Sequence, residues 1–206
     1  ISDWSEALNL MIKKEAEIMI PGHGLPIYGR ERIKVALSTT SAFLEDLEEQ
    51  TLQLMNKGKS LNEVFNQVKI ASEFMDNPWL KPVYDDPKFL IKMIWRRYGG
   101  WWDGEYDRLL PDTRENEAAE WIELTGGVNK IIEKALSNSE KGKHALAAHL
   151  IEVAYYAEKD NEKIHLARKK VYEALSNIQS SSMARNIFNH ASLASAENKR
   201  DLASED

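Results

Sequence analysis

The sequence comprises 206 residues with a formal net charge of -6, of which 43% are hydrophobic and 29% charged. These proportions are typical of a folded globular protein, and the acidic balance argues against nucleic acid or an anionic membrane surface as a partner. The lack of cysteine excludes disulfides, a thiol nucleophile and a cysteine-type zinc site, while 10 glycines and 6 prolines are too few for a β-sandwich or a β-barrel.

The N-terminal 30 residues predict one helix, one strand and a glycine-rich loop. Residues 3–14 carry apolar side chains at helical spacing, whereas residues 15–20 form a short run that predicts a strand. A single strand cannot satisfy its own backbone hydrogen bonds, and no partner strand is predicted further along the chain. The sequence also begins with Ile1 instead of methionine. We therefore expect this strand to belong to a sheet that lies upstream in a longer polypeptide.

Most of the remaining sequence predicts helices. A stripe with a 3.6-residue period runs from residue 30 to 57 and ends at Gly58, and Ser60 with Glu63 forms a capping box for a helix to about residue 70. Residues 76–87 contain three prolines and should be irregular. Further helices are predicted after Pro87 and Thr113, and at 128–139, 143–158, 161–177 and 181–197. Residues 198–206 are expected to be frayed.

The predicted fold class is therefore mainly all-α. It is a multi-helical domain of antiparallel helices, with one short strand near the N-terminus left over from an upstream α/β domain.

His23 is the strongest candidate for a metal ligand. It follows the predicted strand and is flanked by Gly22 and Gly24, and α/β folds bind ligands in the loops at strand ends. Zinc needs three or four protein ligands, and the sequence contains no HxH, HExxH or Asp/His cluster. We therefore do not expect this chain to hold zinc alone. The other four histidines are more readily explained as ordinary helix residues: His144, His149, His165 and His190.

An aromatic cluster around Gly99-Gly100 is the second candidate site. Tyr98, Trp101 and Trp102 are candidates for substrate contact, because Trp, Tyr and Arg dominate binding hot spots. The alternative is an ordinary core cluster in which the Gly-Gly turn lets two helices pack. No pair of carboxylates and no activated nucleophile stands out, so the sequence predicts no catalytic residue in this chain.

Two stretches resemble the alkyl sulfatases of the metallo-β-lactamase superfamily. Residues 17–29 (EIMIPGHGLPIYG) are similar to the end of the hydrolase domain, where a strand delivers the last metal-binding histidine. Residues 84–110 resemble the aromatic-Asp-Gly segment of the family's helical dimerisation domain, and Gly-Trp-Trp-Asp-Gly is the most specific part. The likeness extends over nearly the whole chain.

The resemblance implies a zinc-dependent hydrolase of alkyl sulfate esters that works as a homodimer through intertwined helical domains. Residues 1–35 would be the C-terminal end of a metallo-β-lactamase-type domain, and residues 36–206 the dimerisation domain. His23 would be the last ligand of a binuclear zinc site whose other ligands lie outside this chain, so the chain alone is expected to be inactive. The implied partners are a second copy and the upstream domain. No apolar run approaches the roughly 20 residues of a membrane span.

Two alternatives remain open from the residues themselves. The first is a free-standing helical-hairpin module, similar to tetratricopeptide repeats, that binds proteins without catalysis; a concave groove on residues 128–197 with a bound peptide would favour it. The second is an independent enzyme that uses the Trp/Tyr/Arg cluster. The compartment, cytoplasmic or periplasmic, is not indicated by the sequence.

Overall fold

The computed structural model describes residues 1–203, which form two compact units, Ile1–Leu109 and a second unit that begins at Leu110. Within this described part, ten α-helices are accompanied by one 3-10 turn and one two-stranded sheet, so the prediction of a mainly all-α fold is confirmed. Residues 204–206 of the predicted frayed tail lie outside the described residues. None of the helices in residues 1–203 is both long and apolar enough to cross a membrane.

The first unit is built around one long helix. Its elements are α1 (Ser2–Ile12), β1 (Ile18–Met19), β2 (Ile27–Tyr28), α2 (Arg30–Asn56), α3 (Leu61–Gln67), α4 (Ser72–Met75) and α5 (Pro87–Gly99), followed by a 3-10 turn at Tyr106–Arg108. The helices α1, α3 and α5 all pack against α2. The buried stripe of α2 includes Ile33, Leu37, Leu44 and Leu47, whose spacing of three, four and seven residues faces one side of a helix.

The prediction of a single strand without a partner in this chain was wrong. Only Ile18–Met19 is extended within the predicted 15–20, and it pairs antiparallel with Ile27–Tyr28, so that Ile18 lies opposite Tyr28 and Met19 opposite Ile27. The second strand is two residues long, and so short a segment has no alternation from which a strand could be predicted. The two strands form a small arm that contacts α2.

Local capping signals were predicted correctly. The Ser60 hydroxyl accepts a hydrogen bond from the Glu63 amide at 3.3 Å, and the Glu63 carboxylate accepts one from the Ser60 amide at 3.0 Å. Pro87 occupies the first turn of α5, and the Thr113 hydroxyl caps the next helix. The helix that follows Ser60 ends at Gln67, about three residues earlier than expected.

The second unit is a succession of five helices: α6 (Arg114–Thr125), α7 (Val128–Glu140), α8 (His144–Ala157), α9 (Glu162–Asn177) and α10 (Ser182–Ala196). Each helix packs on the next, and α6 also packs on α8. Ala135, Ala147 and Ala154 are fully buried where these helices meet, together with Ile151 and Ile164. Small alanine side chains allow the helix axes to approach closely, which explains the Ala-rich composition of this half.

The predicted boundary between residues 35 and 36 lies within α2, which is continuous from Arg30 to Asn56. That division was inferred from the resemblance and not from compactness. It stays a prediction.

Candidate functional site

His23 lies in the loop between β1 and β2, and its side chain is exposed. Its imidazole stacks on the ring of Tyr84, with the ring centroids 4.1 Å apart and the planes within 8° of parallel. Tyr84 belongs to the irregular segment between α4 and α5. Stacking engages the face of the imidazole and leaves both ring nitrogens at its edge, where they can bind a ligand.

The described residues do not form a metal site by themselves. Among residues 1–203, no group of three or more His, Cys, Asp or Glu side chains is close enough to hold a metal ion. Since zinc requires three or four protein ligands, His23 alone does not fit a zinc ion. Its assignment as a metal ligand stays a prediction that depends on ligands from outside this chain.

The segment Trp101–Gly104 has a backbone that is fixed on two sides. The Trp95 indole donates a hydrogen bond to the Trp102 carbonyl at 2.8 Å, and the Leu61 amide donates one to the Asp103 carbonyl at 2.7 Å. Gly104 has φ +86°, and a Cβ placed there would lie 3.0 Å from the Ser60 Cα. The loop is therefore docked against the start of α3, and only glycine fits at this contact.

The three predicted substrate-contact residues differ in their surroundings. The Tyr98 hydroxyl donates a hydrogen bond to the Glu48 carboxylate at 2.8 Å and is thereby tied to α2. Trp102 packs edge-on against Tyr106 at 5.6 Å, whereas the Trp101 indole is 82% exposed. The alternative of a core cluster holds for Trp95, which is 8% exposed, but not for Trp101. The loop thus presents an exposed indole on a fixed backbone.

The sequence did not reveal a buried charge cluster in the second unit. Arg168 on α9 pairs with Glu152 on α8 at 2.6 Å, and the Tyr172 hydroxyl donates to the same carboxylate oxygen at 2.9 Å. Burial, and then the negative charge of Glu152, raise the pKa of Tyr172 well above its ordinary value. The one available signal was that Glu152 is the only Asp, Glu, Lys or Arg in the apolar run 145–157.

The remaining histidines have structural surroundings. His165 is 1% exposed, and its Nε2 lies 2.7 Å from the Lys159 carbonyl, to which it donates. His144 and His190 contact a serine hydroxyl and an aspartate, respectively, at 3.3 and 3.2 Å. The interpretation of these three as ordinary helix residues stays a prediction, and His149 lines a surface groove of α6, α7 and α8.

Comparison with known proteins identifies relatives of this chain. The family model described as "Alkyl sulfatase dimerisation" matches residues 60–198. A linear primary-alkylsulfatase from Pseudomonas sp. (strain ATCC 19151) is 29% identical over 160 residues, which is 77% of this chain and 30% of that protein. An (R)-specific secondary-alkylsulfatase from Pseudomonas sp. is 22% identical over 189 residues, 90% of this chain and 28% of that protein.

The solved structure of the stereoselective inverting sec-alkylsulfatase Pisa1 from Pseudomonas sp. has a similar fold. It superposes with a TM-score of 0.86 at 20% identity and covers 96% of this chain and 32% of that chain. The chain thus spans about a third or less of the length of the relatives it matches.

Proposed function

The chain belongs to the alkyl sulfatase dimerisation family, and we propose that it is the self-associating helical part of an alkylsulfatase-like hydrolase. The observation that carries this proposal is the family match over residues 60–198, which includes every helix from α3 to α10. The relatives that match this region are alkylsulfatases. The family match favours this function over a free-standing helical-hairpin module, which no observation on the described residues supports.

We propose that an upstream metallo-β-lactamase-type domain of the same polypeptide carries out the chemistry. Two observations support this division. The described residues contain no metal-binding group of three or more ligands, so they lack the central component of a metallohydrolase. In addition, the β1–β2 arm exposes Ile18, Ile20 and Leu25 at 56%, 78% and 85%, and such apolar exposure is typical of a surface that another domain covers.

In this proposal His23 completes a binuclear zinc site whose other ligands belong to the upstream domain. When bound, the zinc pair would supply an activated water and polarise the sulfate ester. The contribution of this chain is one imidazole, with the plane of its ring held by the stack on Tyr84. Metal-ligating histidines are generally oriented by neighbouring groups, which is the support for this role.

The aromatic loop is proposed to contact the alkyl chain of the substrate. Trp101 supports this assignment because its indole is 82% exposed while the backbone beside it is fixed by the hydrogen bonds of Trp95 and Leu61. An apolar side chain on a fixed backbone loses less conformational freedom on binding an apolar ligand than one on a mobile loop. Tyr98 and Trp102 would form the sides of the same contact.

Sedimentation equilibrium of this chain over a concentration series, with and without zinc, tests the self-association. We expect a dimer whose dissociation constant does not depend on zinc. A monomer at every concentration would contradict the proposal, and association that requires zinc would reveal a metal site within this chain.

The role of His23 is tested in the intact protein. We expect His23→Ala to lose bound zinc, measured by metal analysis, and to stop releasing sulfate from a dodecyl sulfate ester, with the dimer retained. His190→Ala is the matched control, because His190 is an exposed histidine whose Nε2 lies 3.2 Å from the Asp201 carboxylate. Full zinc content in His23→Ala would contradict the assignment.

A further inference from the structure

An apolar groove opens on the surface of the second unit. It has a volume of about 540 Å³, and its apolar lining comes from Trp121 on α6, Ile131 on α7, and Leu150 and Val153 on α8. Trp121 is 49% exposed although it lies within this lining. An open apolar concavity of this size on a folded domain is typical of a binding surface.

One wall of the groove is cationic. Lys130 and Lys134, one helical turn apart on α7, line the groove, and neither has an ion-pair partner among the described residues. The ammonium of Lys130 lies beside Gly126, at the C-terminal end of α6, where the helix dipole favours a positive charge. The occupant of this groove should therefore combine apolar side chains with carboxylates.

The adjoining face of α6 has these properties. Leu124 is 77% exposed and lies three residues after Trp121, hence on the same side of the helix. Glu120 and Glu123 lie on the Leu124 side of this apolar pair, are exposed, and have no ion-pair partner within residues 1–203. A projecting leucine with carboxylates and a groove with lysines thus lie side by side on one surface.

A surface that carries both halves of a complementary contact can pair with its own copy around a twofold axis. We propose that the groove binds α6 of a second copy of this chain, with Leu124 inserted between Trp121 and Leu150 of the partner. Glu120 and Glu123 then face Lys130 and Lys134 of the partner subunit, and the symmetry gives the same contact twice. This inference rests on the proposed self-association and assigns a surface to it.

Charge reversal tests this pairing directly. One variant carries Lys130→Glu and Lys134→Glu, and the other carries Glu120→Lys and Glu123→Lys. Each variant alone would place like charges in both symmetric contacts, and we expect its dimer dissociation constant to rise at least about 30-fold. In an equimolar mixture both contacts regain opposite charges, so a heterodimer should form with nearly the wild-type dissociation constant.

Leu124→Glu tests the apolar contact, with Leu166→Glu as the matched control because Leu166 is an exposed leucine on α9. We expect the first variant to be monomeric and the second to dimerise like wild type, with unchanged circular dichroism in both. A wild-type dimer that none of the groove variants weakens would overturn this inference and leave the proposed self-association intact. A wild-type monomer would instead contradict the proposed function.

Binding of another occupant has its own readout. Titration of dodecanoate into the dimer should produce no change, below the concentration at which the fatty acid forms micelles, in the part of the tryptophan fluorescence that Trp121→Phe removes. Saturable binding of dodecanoate to an undissociated dimer would assign the groove to an anionic amphiphile and overturn the inference.

Discussion

The guanidinium of Arg168 donates a hydrogen bond to the carboxylate of Glu152 across 2.6 Å, and both side chains are more than nine-tenths buried. A second nitrogen of Arg168 donates to the Ser195 hydroxyl at 2.8 Å, so the pair connects α8, α9 and α10. The two residues are 16 positions apart, on separate helices. Because water cannot replace either partner there, each charge depends on the other.

Replacement of Arg168 should therefore lower the stability of the folded protein. We expect Arg168→Leu to lower the free energy of unfolding by about 3–5 kcal/mol, because the Glu152 carboxylate would stay buried without a counter-ion. Urea denaturation followed by circular dichroism measures the change. The double variant Arg168→Leu/Glu152→Leu should recover much of the loss, and equal destabilisation of the single and double variants would argue against this explanation.

An exposed ion pair provides the control for that measurement. Lys159 contacts Glu115 with both side chains 47% exposed, and solvent-exposed pairs contribute little to stability. Lys159→Ala should therefore leave the urea midpoint nearly unchanged.

The phenol of Tyr172 should make stability depend on pH above about 10. Burial and the charge of Glu152 raise its pKa in the folded protein, whereas the unfolded chain titrates at about 10. From about pH 10 upward the unfolded state loses this proton and the folded state keeps it, so the free energy of unfolding falls as the pH rises. Below about pH 10 this contribution is fully present.

The variant Tyr172→Phe isolates this effect. At pH 7 it should be less stable by about 1.5–3 kcal/mol, because the hydrogen bond to the Glu152 carboxylate is lost. Only wild type carries the Tyr172 proton. The difference in the free energy of unfolding between wild type and Tyr172→Phe should therefore narrow between pH 9.5 and 11. A difference that stays constant over this range in urea titrations would disprove the linkage.

Gly104 should tolerate no side chain. We expect Gly104→Ala to lower the free energy of unfolding by about 1–3 kcal/mol, because φ is +86° and the new Cβ would lie 3.0 Å from the Ser60 Cα. Gly22→Ala is the control, since no atom lies within 4 Å of a Cβ at that position, and it should change stability by less than about 0.5 kcal/mol. Thermal melts of both variants measure this difference in stability. Equal melting temperatures for Gly104→Ala and Gly22→Ala would contradict the predicted clash.

Substitutions of Trp95 and Trp101 should differ in their effect on stability. Trp95→Phe removes the hydrogen bond to the Trp102 carbonyl and leaves a cavity, so we expect a loss of about 1–3 kcal/mol. Trp101→Phe should change stability by less than about 0.5 kcal/mol because the indole is 82% exposed. Denaturation of the two variants tests this contrast.

The proposed substrate contact gives Trp101 a second readout. In the intact protein, Trp101→Ala should raise KM for a long-chain alkyl sulfate at nearly unchanged kcat, as expected for a residue that binds substrate and transition state equally. An unchanged KM would contradict the proposed contact between Trp101 and the alkyl chain of the substrate.

The sequence by itself determined the helices, because the signals that begin and end them are local. The Ser60–Glu63 capping box, Pro87 in a first turn and the Thr113 cap each involve residues within a few positions of one another. The Gly-Trp-Trp-Asp-Gly segment likewise indicated the family that the match over residues 60–198 shows.

Only the tertiary structure decided the contacts that give those helices their roles. The partner of β1, the Tyr84 ring on His23 and the Arg168 partner of Glu152 all come from residues that are distant in sequence. Likewise, burial of Trp95 and exposure of Trp101 follow from which side of a docked loop each residue occupies. Periodicity specifies which face of a helix is apolar, but which surface covers that face depends on the packing of the whole unit.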